Sequence, residues 1–290
     1  MDTAGRIEQA LSLAVARGAD PRCPPGLAEA VRYAVFPGGA RLRPRLCLAT
    51  ALACGDDEPE LADAAAASIE LLHCASLVHD DLPCFDDAPL RRGKPSVHKA
   101  FGERLAVLSG DALIVLAFET LGRAVAGPPE RMARLIGIVA RSVGMPSGIV
   151  AGQAWECEPA IELASYHRAK TGALFAAATV AGAAAAGSAE PEGWRMLGLR
   201  LGEAYQVADD IRDMAGDALL LGKPTGRDVA LDRCSAAREL GLAGAIERLE
   251  GLVGDAVASI PRCAGAARLR ALIRMEAERF LPSDIALAAA

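Results

Sequence analysis

The chain has 290 residues, 52% of them hydrophobic but only 4% aromatic, and a formal net charge of −6. Much of its apolar content is Ala, Leu and Val, a mixture that favours helices, since Ala and Leu are the strongest helix formers and β-branched or aromatic runs are scarce. The negative charge disfavours a general nucleic-acid surface, although carboxylates that hold cations can still recruit anionic ligands.

Taken in chain order, apolar periodicity predicts helices at about 4–17, 26–36, 42–54, 58–82, 103–126, 129–143, 160–186, 191–216, 235–257 and 265–281. Breaks fall at Pro24-Pro25, Pro37-Gly38-Gly39, Gly55-Asp56-Asp57, Pro128-Pro129, Gly144 to Gly148 and Gly187-Ser188. No linker composition and no strand signal interrupt the pattern. The expectation is all-α: one large antiparallel bundle over residues 1–290, around a deep central cavity.

The apolar runs read as too short or too interrupted for a bilayer. The richest, Ala176 to Ala186, falls well short of the roughly 20 residues required, so no stable membrane insertion is expected. The first residues, Met1-Asp2-Thr3-Ala4-Gly5-Arg6, carry no basic-then-apolar segment, and no signal peptide is expected. Eight cysteines without a Cys-x-x-Cys pair argue against a zinc site or disulfide framework and suit a reducing cytoplasm.

Two segments carry unusual chemistry. In the first, an apolar helix from Leu71 runs into Asp80-Asp81, Pro83 ends it, and the chain returns Asp86 and Asp87 before Arg91-Arg92-Gly93-Lys94. Acids at a helix C-terminus oppose the macrodipole, so this is either a solvated helix end or a cation site. In the second, Tyr205-Gln206-Val207-Ala208-Asp209-Asp210-Ile211-Arg212-Asp213, the acids Asp209 and Asp213 share a helix face, with Gln206 one turn earlier. A basic loop follows there too, with Lys223 and Arg227. Two such clusters point to a hard cation bound by oxygen, and magnesium takes a few carboxylates, waters and phosphate oxygens. Nearby Arg and Lys are suited to the rest of a diphosphate. Competing motifs are absent: Gly216 to Lys223 has the wrong glycine spacing for a P-loop, and neither His-Glu-x-x-His nor Gly-x-Ser-x-Gly occurs.

From about residue 36 to 235 the chain resembles the trans-prenyl diphosphate synthases, the farnesyl and geranylgeranyl diphosphate synthase family, with the bacterial carotenoid-type geranylgeranyl enzymes nearest. Gly38-Gly39-Ala40-Arg41-Leu42-Arg43-Pro44 is similar to that family's Gly-Gly-Lys-Arg-x-Arg-Pro, and Asp80-Asp81-x4-Asp86 with Arg91-Arg92-Gly93 to its first aspartate-rich motif. Gly152-Gln153, Lys170-Thr171-Gly172, Gln206, Asp209-Asp210-x2-Asp213 and Gly222-Lys223 follow in the family's order.

The resemblance implies a magnesium-dependent transfer of an allylic group to isopentenyl diphosphate, by ionisation, condensation and elimination. Asp80, Asp86 and Asp209 are expected to ligate three magnesium ions, supported by Asp81, Asp210 and Asp213. Arg91, Lys170, Thr171, Gln206 and Lys223 are expected on the allylic substrate. Arg43, His73 and Arg92 are expected on isopentenyl diphosphate. Among the catalytic set Lys170 stands with the aspartates. The family's usual assembly implies a homodimer.

Ala40 stands where the family usually has Lys, Ala88-Pro89 interrupts an often acidic stretch, and Asp232-Arg233 replaces a usual Lys region. His79 and His98 read as structural, and Asp111 as structural or supporting. Ala75 and Ser76, just before the first motif, are the expected chain-length residues. Their small side chains leave room for a twenty-carbon product, geranylgeranyl diphosphate; farnesyl diphosphate is the alternative. A terpene cyclase would not need Arg43, His73 and Arg92 as a second diphosphate site. A silent regulatory subunit typically loses aspartates that are present here.

Overall fold

The computed structural model describes residues 2–36, 38–124, 128–160, 162–215 and 236–280. Over them the chain forms a helical bundle: α1 (Thr3–Gly18), α2 (Pro25–Val35), α3 (Leu42–Cys54), α4 (Pro59–Asp80), α5 (Val97–Phe101), α6 (Glu103–Gly122) and α7 (Pro129–Val143). There follow α8 (Ile149–Ala154), α9 (Leu163–His167), α10 (Ala173–Ala185), α11 (Arg195–Ala215), α12 (Ala236–Ala258) and α13 (Ala266–Glu278). The element α12 contains a break at Gly241, whose φ of 69° is not helical.

The helices that position the site are the most alanine-rich. Pro59 opens α4 at a position where its missing N–H costs nothing. Ala62, Ala65 and Ala67 are then fully buried, which lets neighbouring backbones come close. Accordingly α4 packs on α3, α6 and α10, α10 on α3, α7 and α11, and α11 on α12. Glycine takes this further where α11 meets the start of α10: a Cβ on Gly202 would lie 2.9 Å from the Gly172 Cα. Leu71 and Leu113 are fully buried between these helices, each contributing on the order of 1.5–3 kcal/mol. An apolar pocket of about 50 Å³, lined by Leu46, Ala49, Phe175 and Phe280 among others, lies between α3, α10, α11 and α13.

The fold is all-α as expected, with three corrections. A ribbon of two-residue strands, β1 (Leu90–Arg91) and β2 (Lys94–Pro95), breaks the strand-free reading; elements this short have no periodicity to detect. The helix expected at 160–186 runs without a gap from Leu163 to Ala185, but a π-helical turn at Arg168–Gly172 separates α9 from α10. The apolar pattern hides that turn, because one extra residue per turn changes only the register of the face. Third, α4 and α6 are in fact long and apolar enough to cross a membrane by length and composition. The apolar window of α4 is 78% buried, which marks a core helix, whereas that of α6 is 44% buried. The short helices α5 and α8 were not foreseen either.

Candidate active site

The first acidic segment is built by the end of α4. That helix stops at Asp80, and the loop turns back on it: the amide of Asp86 donates to the Asp80 carbonyl at 2.9 Å and that of Ala88 to Asp81 at 3.2 Å. These bonds fold Asp86 back beside Asp80. Burial raises the Asp80 carboxyl above its ordinary pKa; Lys170 opposes that and Asp86 adds to it. Asp81 is raised by burial in the same way, against the pull of Arg91. Asp87 points elsewhere, to Lys99 at 3.0 Å and His98 at 3.3 Å.

The ribbon then separates two arginines. Arg91 pairs with Lys94 across it, and Arg92 (φ 54°) and Gly93 (φ 74°) form the two-residue turn. Two left-handed residues in a hairpin turn match the right-handed twist of the strands, at a cost for the non-glycine residue. Arg91 donates from Nε and Nη2 to the Asp81 carboxylate, the Nε bonds measuring 3.0 and 3.2 Å. Arg92 turns the other way, its guanidinium packed over Gly39.

The second acidic segment lies on α11. Asp210 is buried and accepts from Gln206 Nε2 at 3.0 Å, whereas Asp209 accepts from Arg212 at 3.2 Å. Asp213 is on the same helix, with no description of its side chain, and Lys223 lies outside the described residues. Lys170 and Thr171, in the π-helical turn, bridge the two acidic helices. Lys170 Nζ reaches Asp80 Oδ1 at 3.3 Å, and Thr171 Oγ1 donates to Gln206 Oε1 at 3.2 Å. A side chain on Gly152 would collide with the Lys170 backbone, so α8 can approach this turn only through glycine.

Arg43, His73 and Arg92 come together two turns before Asp80 along α4. Arg43 Nη1 lies 3.4 Å from His73 Nε2, and its guanidinium stacks on Phe175, 4.5 Å from the ring centroid. Its Nε is buried without a hydrogen-bond partner. Burial lowers the Arg43 pKa, opposed by Tyr205 and Glu70 and assisted by Arg92. Burial, then the charges of Arg43 and Arg92, hold His73 well below its ordinary value of 6.5, so it is neutral at pH 7. Arg41 is not part of this group. With a φ of 51° it turns inward, donating to Glu70 at 2.8 Å, Glu8 at 2.9 Å and the Val35 carbonyl at 2.9 Å. It therefore does not fill the place left by Ala40.

On the C-terminal half of α4, His73, Ser76, Leu77 and Asp80 are partly exposed at i, i+3, i+4 and i+7, whereas Ala75 is 1% exposed and belongs to the core. His79 lies on another side of the helix, 3.3 Å from the Val107 carbonyl and 3.8 Å from the exposed Asp111. Sequence reasoning missed Glu156. Its carboxylate receives Lys170 Nζ at 2.6 Å, the Tyr166 hydroxyl at 2.6 Å and Gln153 Nε2 at 3.0 Å. Its signal is an acid three residues after Gly152-Gln153, in a short turn without periodicity.

The donor set suits magnesium better than a softer ion. Asp80 and Asp86 are carboxylates placed side by side, and among the described residues no three His, Cys, Asp or Glu close a cage. An open, oxygen-only arrangement fits an ion that keeps waters and takes phosphate oxygens. The buried acids are balanced here by the chain's own cations, Lys170 on Asp80 and Arg91 on Asp81.

Comparison with known proteins agrees with this geometry. The polyprenyl synthetase family model matches residues 24–257. A geranylgeranyl diphosphate synthase of Cereibacter sphaeroides is 57% identical over 281 residues, covering 97% of each chain. One from Rhodobacter capsulatus is 51% identical over 276 residues, covering 95% of each. The crystal structure of a Helicobacter pylori geranyltransferase, complexed with magnesium and isoprenyl diphosphate, superposes with a TM-score of 0.80 at 30% identity, over 96% of each chain. An FPP/GFPP synthase from Zymomonas mobilis superposes with a TM-score of 0.79 at 34% identity, over 95% of this chain and 97% of that one. With its paired acidic helix segments and the family model spanning most of its length, the chain belongs to the polyprenyl synthetase family.

Proposed function

We propose that the protein is a magnesium-dependent trans-prenyltransferase that condenses allylic diphosphates with isopentenyl diphosphate to give geranylgeranyl diphosphate. The observation that carries this reading is the presence of two distinct cation groups. Lys170 and Arg91 lie on the carboxylates, whereas Arg43 is buried with an unpartnered Nε beside His73 and Arg92. Two groups accommodate two diphosphates, as condensation requires; cyclisation of one substrate does not.

In this reading Asp80, Asp86 and Asp209 hold the metal, with Asp81, Asp210 and Asp213 behind them. Bound magnesium supplies charge stabilisation for the departing diphosphate. Arg91, Lys170, Thr171, Gln206 and Lys223 donate to that leaving group, and preorganised donors act where charge develops. Arg43, neutral His73 and Arg92 hold isopentenyl diphosphate so that its double bond attacks the allylic cation. The proton then leaves to the released diphosphate, so no side-chain nucleophile is needed.

The twenty-carbon product is supported by the names of the two bacterial relatives and by the small Ser76 on the partly exposed face of α4. A homodimer is supported by α6, where Val107 (42% exposed), Leu108 (51%) and Val115 (65%) form an open apolar stripe. The same stripe meeting a second copy accounts for the apolarity of α6 without a membrane. We read the whole chain as one domain, and the seven free cysteines among the described residues suit a cytoplasmic setting.

Replacing Asp80 or Asp209 by Asn tests the assignment. Turnover with saturating magnesium is expected to fall at least about 10²-fold, with an unchanged helical circular dichroism spectrum. Near-normal turnover in either variant overturns the metal assignment.

A further inference from the structure

We infer that Glu156 is the positioning residue for Lys170, holding its ammonium group in place to meet the diphosphate of the allylic substrate. This rests on the functional reading above and adds a residue to it. A lysine is a flexible stem carrying a point charge, and something must fix it if it is to act as a preorganised donor. Of the two acids that Lys170 Nζ touches, Glu156 is the nearer, at 2.6 Å against 3.3 Å for Asp80.

The bond to Asp80 is a contested one, because any cation held by that carboxylate repels the ammonium. The bond to Glu156 is free of that competition. Glu156 is also fixed in its turn: the Tyr166 hydroxyl donates to Oε1 at 2.6 Å and Gln153 Nε2 to Oε2 at 3.0 Å. Those donors come from α8 and α9, on either side of the carboxylate, so it does not swing with the lysine. Both charged side chains are mostly buried, Lys170 at 20% exposure and Glu156 at 17%, where a charged pair is screened less than on an open surface. An ammonium has three protons. With one held on Glu156, the others remain to meet phosphate oxygens on the Asp80 side.

The acid therefore acts through Lys170, and a double-mutant cycle separates this from a structural role. The probe is a non-ionising allylic thiolodiphosphate, titrated calorimetrically in magnesium buffer into the full chain, alongside steady-state kinetics. Glu156→Gln is expected to bind it about tenfold more weakly, the scale of one charge-assisted hydrogen bond, and to lower kcat. The KM for isopentenyl diphosphate should not change, since Arg43, His73 and Arg92 lie apart from Glu156. Glu156→Asp should recover part of the loss. In a Lys170→Met background the Glu156→Gln change should have no further effect.

If Glu156→Gln does not fold, Glu156→Asp and Tyr166→Phe, which shorten or loosen the same carboxylate, carry the comparison. Wild-type affinity in a folded Glu156 variant overturns the inference, as does an equal loss with and without Lys170. A wild-type protein that binds no analogue overturns the functional reading and this inference with it. Binding by the wild type with equal binding by Glu156→Gln overturns this inference alone.

Discussion

Replacing Ser76 by Phe is expected to shorten the product from twenty carbons to fifteen. Ser76 lies on the partly exposed stripe of α4 with His73, Leu77 and Asp80, one turn before the acids, and its hydroxyl donates to the His73 carbonyl at 2.8 Å. In the proposed reading, a tail growing from a diphosphate at Asp80 runs along this face. Ala75, the other chain-length candidate, is 1% exposed and packed in the core. An aromatic at Ser76 narrows the space in front of the helix, whereas one at Ala75 must force α4 from its neighbours. Overpacking costs about 1–3 kcal/mol. Charged against the last condensation by Ser76→Phe, that slows it by roughly 5- to 150-fold relative to release, at 1.36 kcal/mol per tenfold. Charged against the fold by Ala75→Phe, it appears as lost stability. Chromatography of dephosphorylated products, with a urea melt of each variant, separates the two. An active Ser76→Phe that still makes mainly twenty-carbon product refutes the reasoning.

Other consequences follow from the same geometry. Glu70→Ala leaves the buried Arg41 guanidinium without its inner partner, the pair being 2% and 7% exposed, and should cost about 3–5 kcal/mol in denaturant unfolding; a loss below about 1 kcal/mol contradicts this. Because Arg41 is committed inward, Ala40→Lys should lower the KM for isopentenyl diphosphate by about tenfold or more, as expected for a charge-assisted contact of about 1.5–3 kcal/mol. An unchanged KM means another group already serves. His73 refuses a proton that the unfolded chain accepts, so its contribution to stability is full above pH 6.5 and is lost as pH falls below that value; His73→Gln should flatten this part of the stability–pH curve. Val115→Glu places a charge on the open stripe of α6 and should convert a dimer to monomer in sedimentation, unless α6 is not the interface.

The acidic segments were legible from where their acids fall along apolar helices. Asp209, Asp210 and Asp213 fall in a helix, and Asp80-Asp81 end another, where acids are locally unfavourable. The roles of Arg41 and Arg43 were not separable in this way. Both follow Gly38-Gly39, and only the left-handed φ of Arg41 sends it to Glu70 while Arg43 stacks on Phe175. Glu156 escaped notice because it sits in a turn, where neither periodicity nor a paired acid marks it. The π-helical turn at Arg168–Gly172 escaped because its residues continue an apolar pattern on both sides, yet it is what directs Lys170 to α4 and Thr171 to α11.

The most direct measurement is product chromatography of the purified protein, given labelled isopentenyl diphosphate and farnesyl diphosphate with magnesium or with a chelator. The account expects a labelled twenty-carbon alcohol after dephosphorylation in the first case and none in the second. Cyclised product, no condensation in the presence of magnesium, or equal product with the chelator would contradict it.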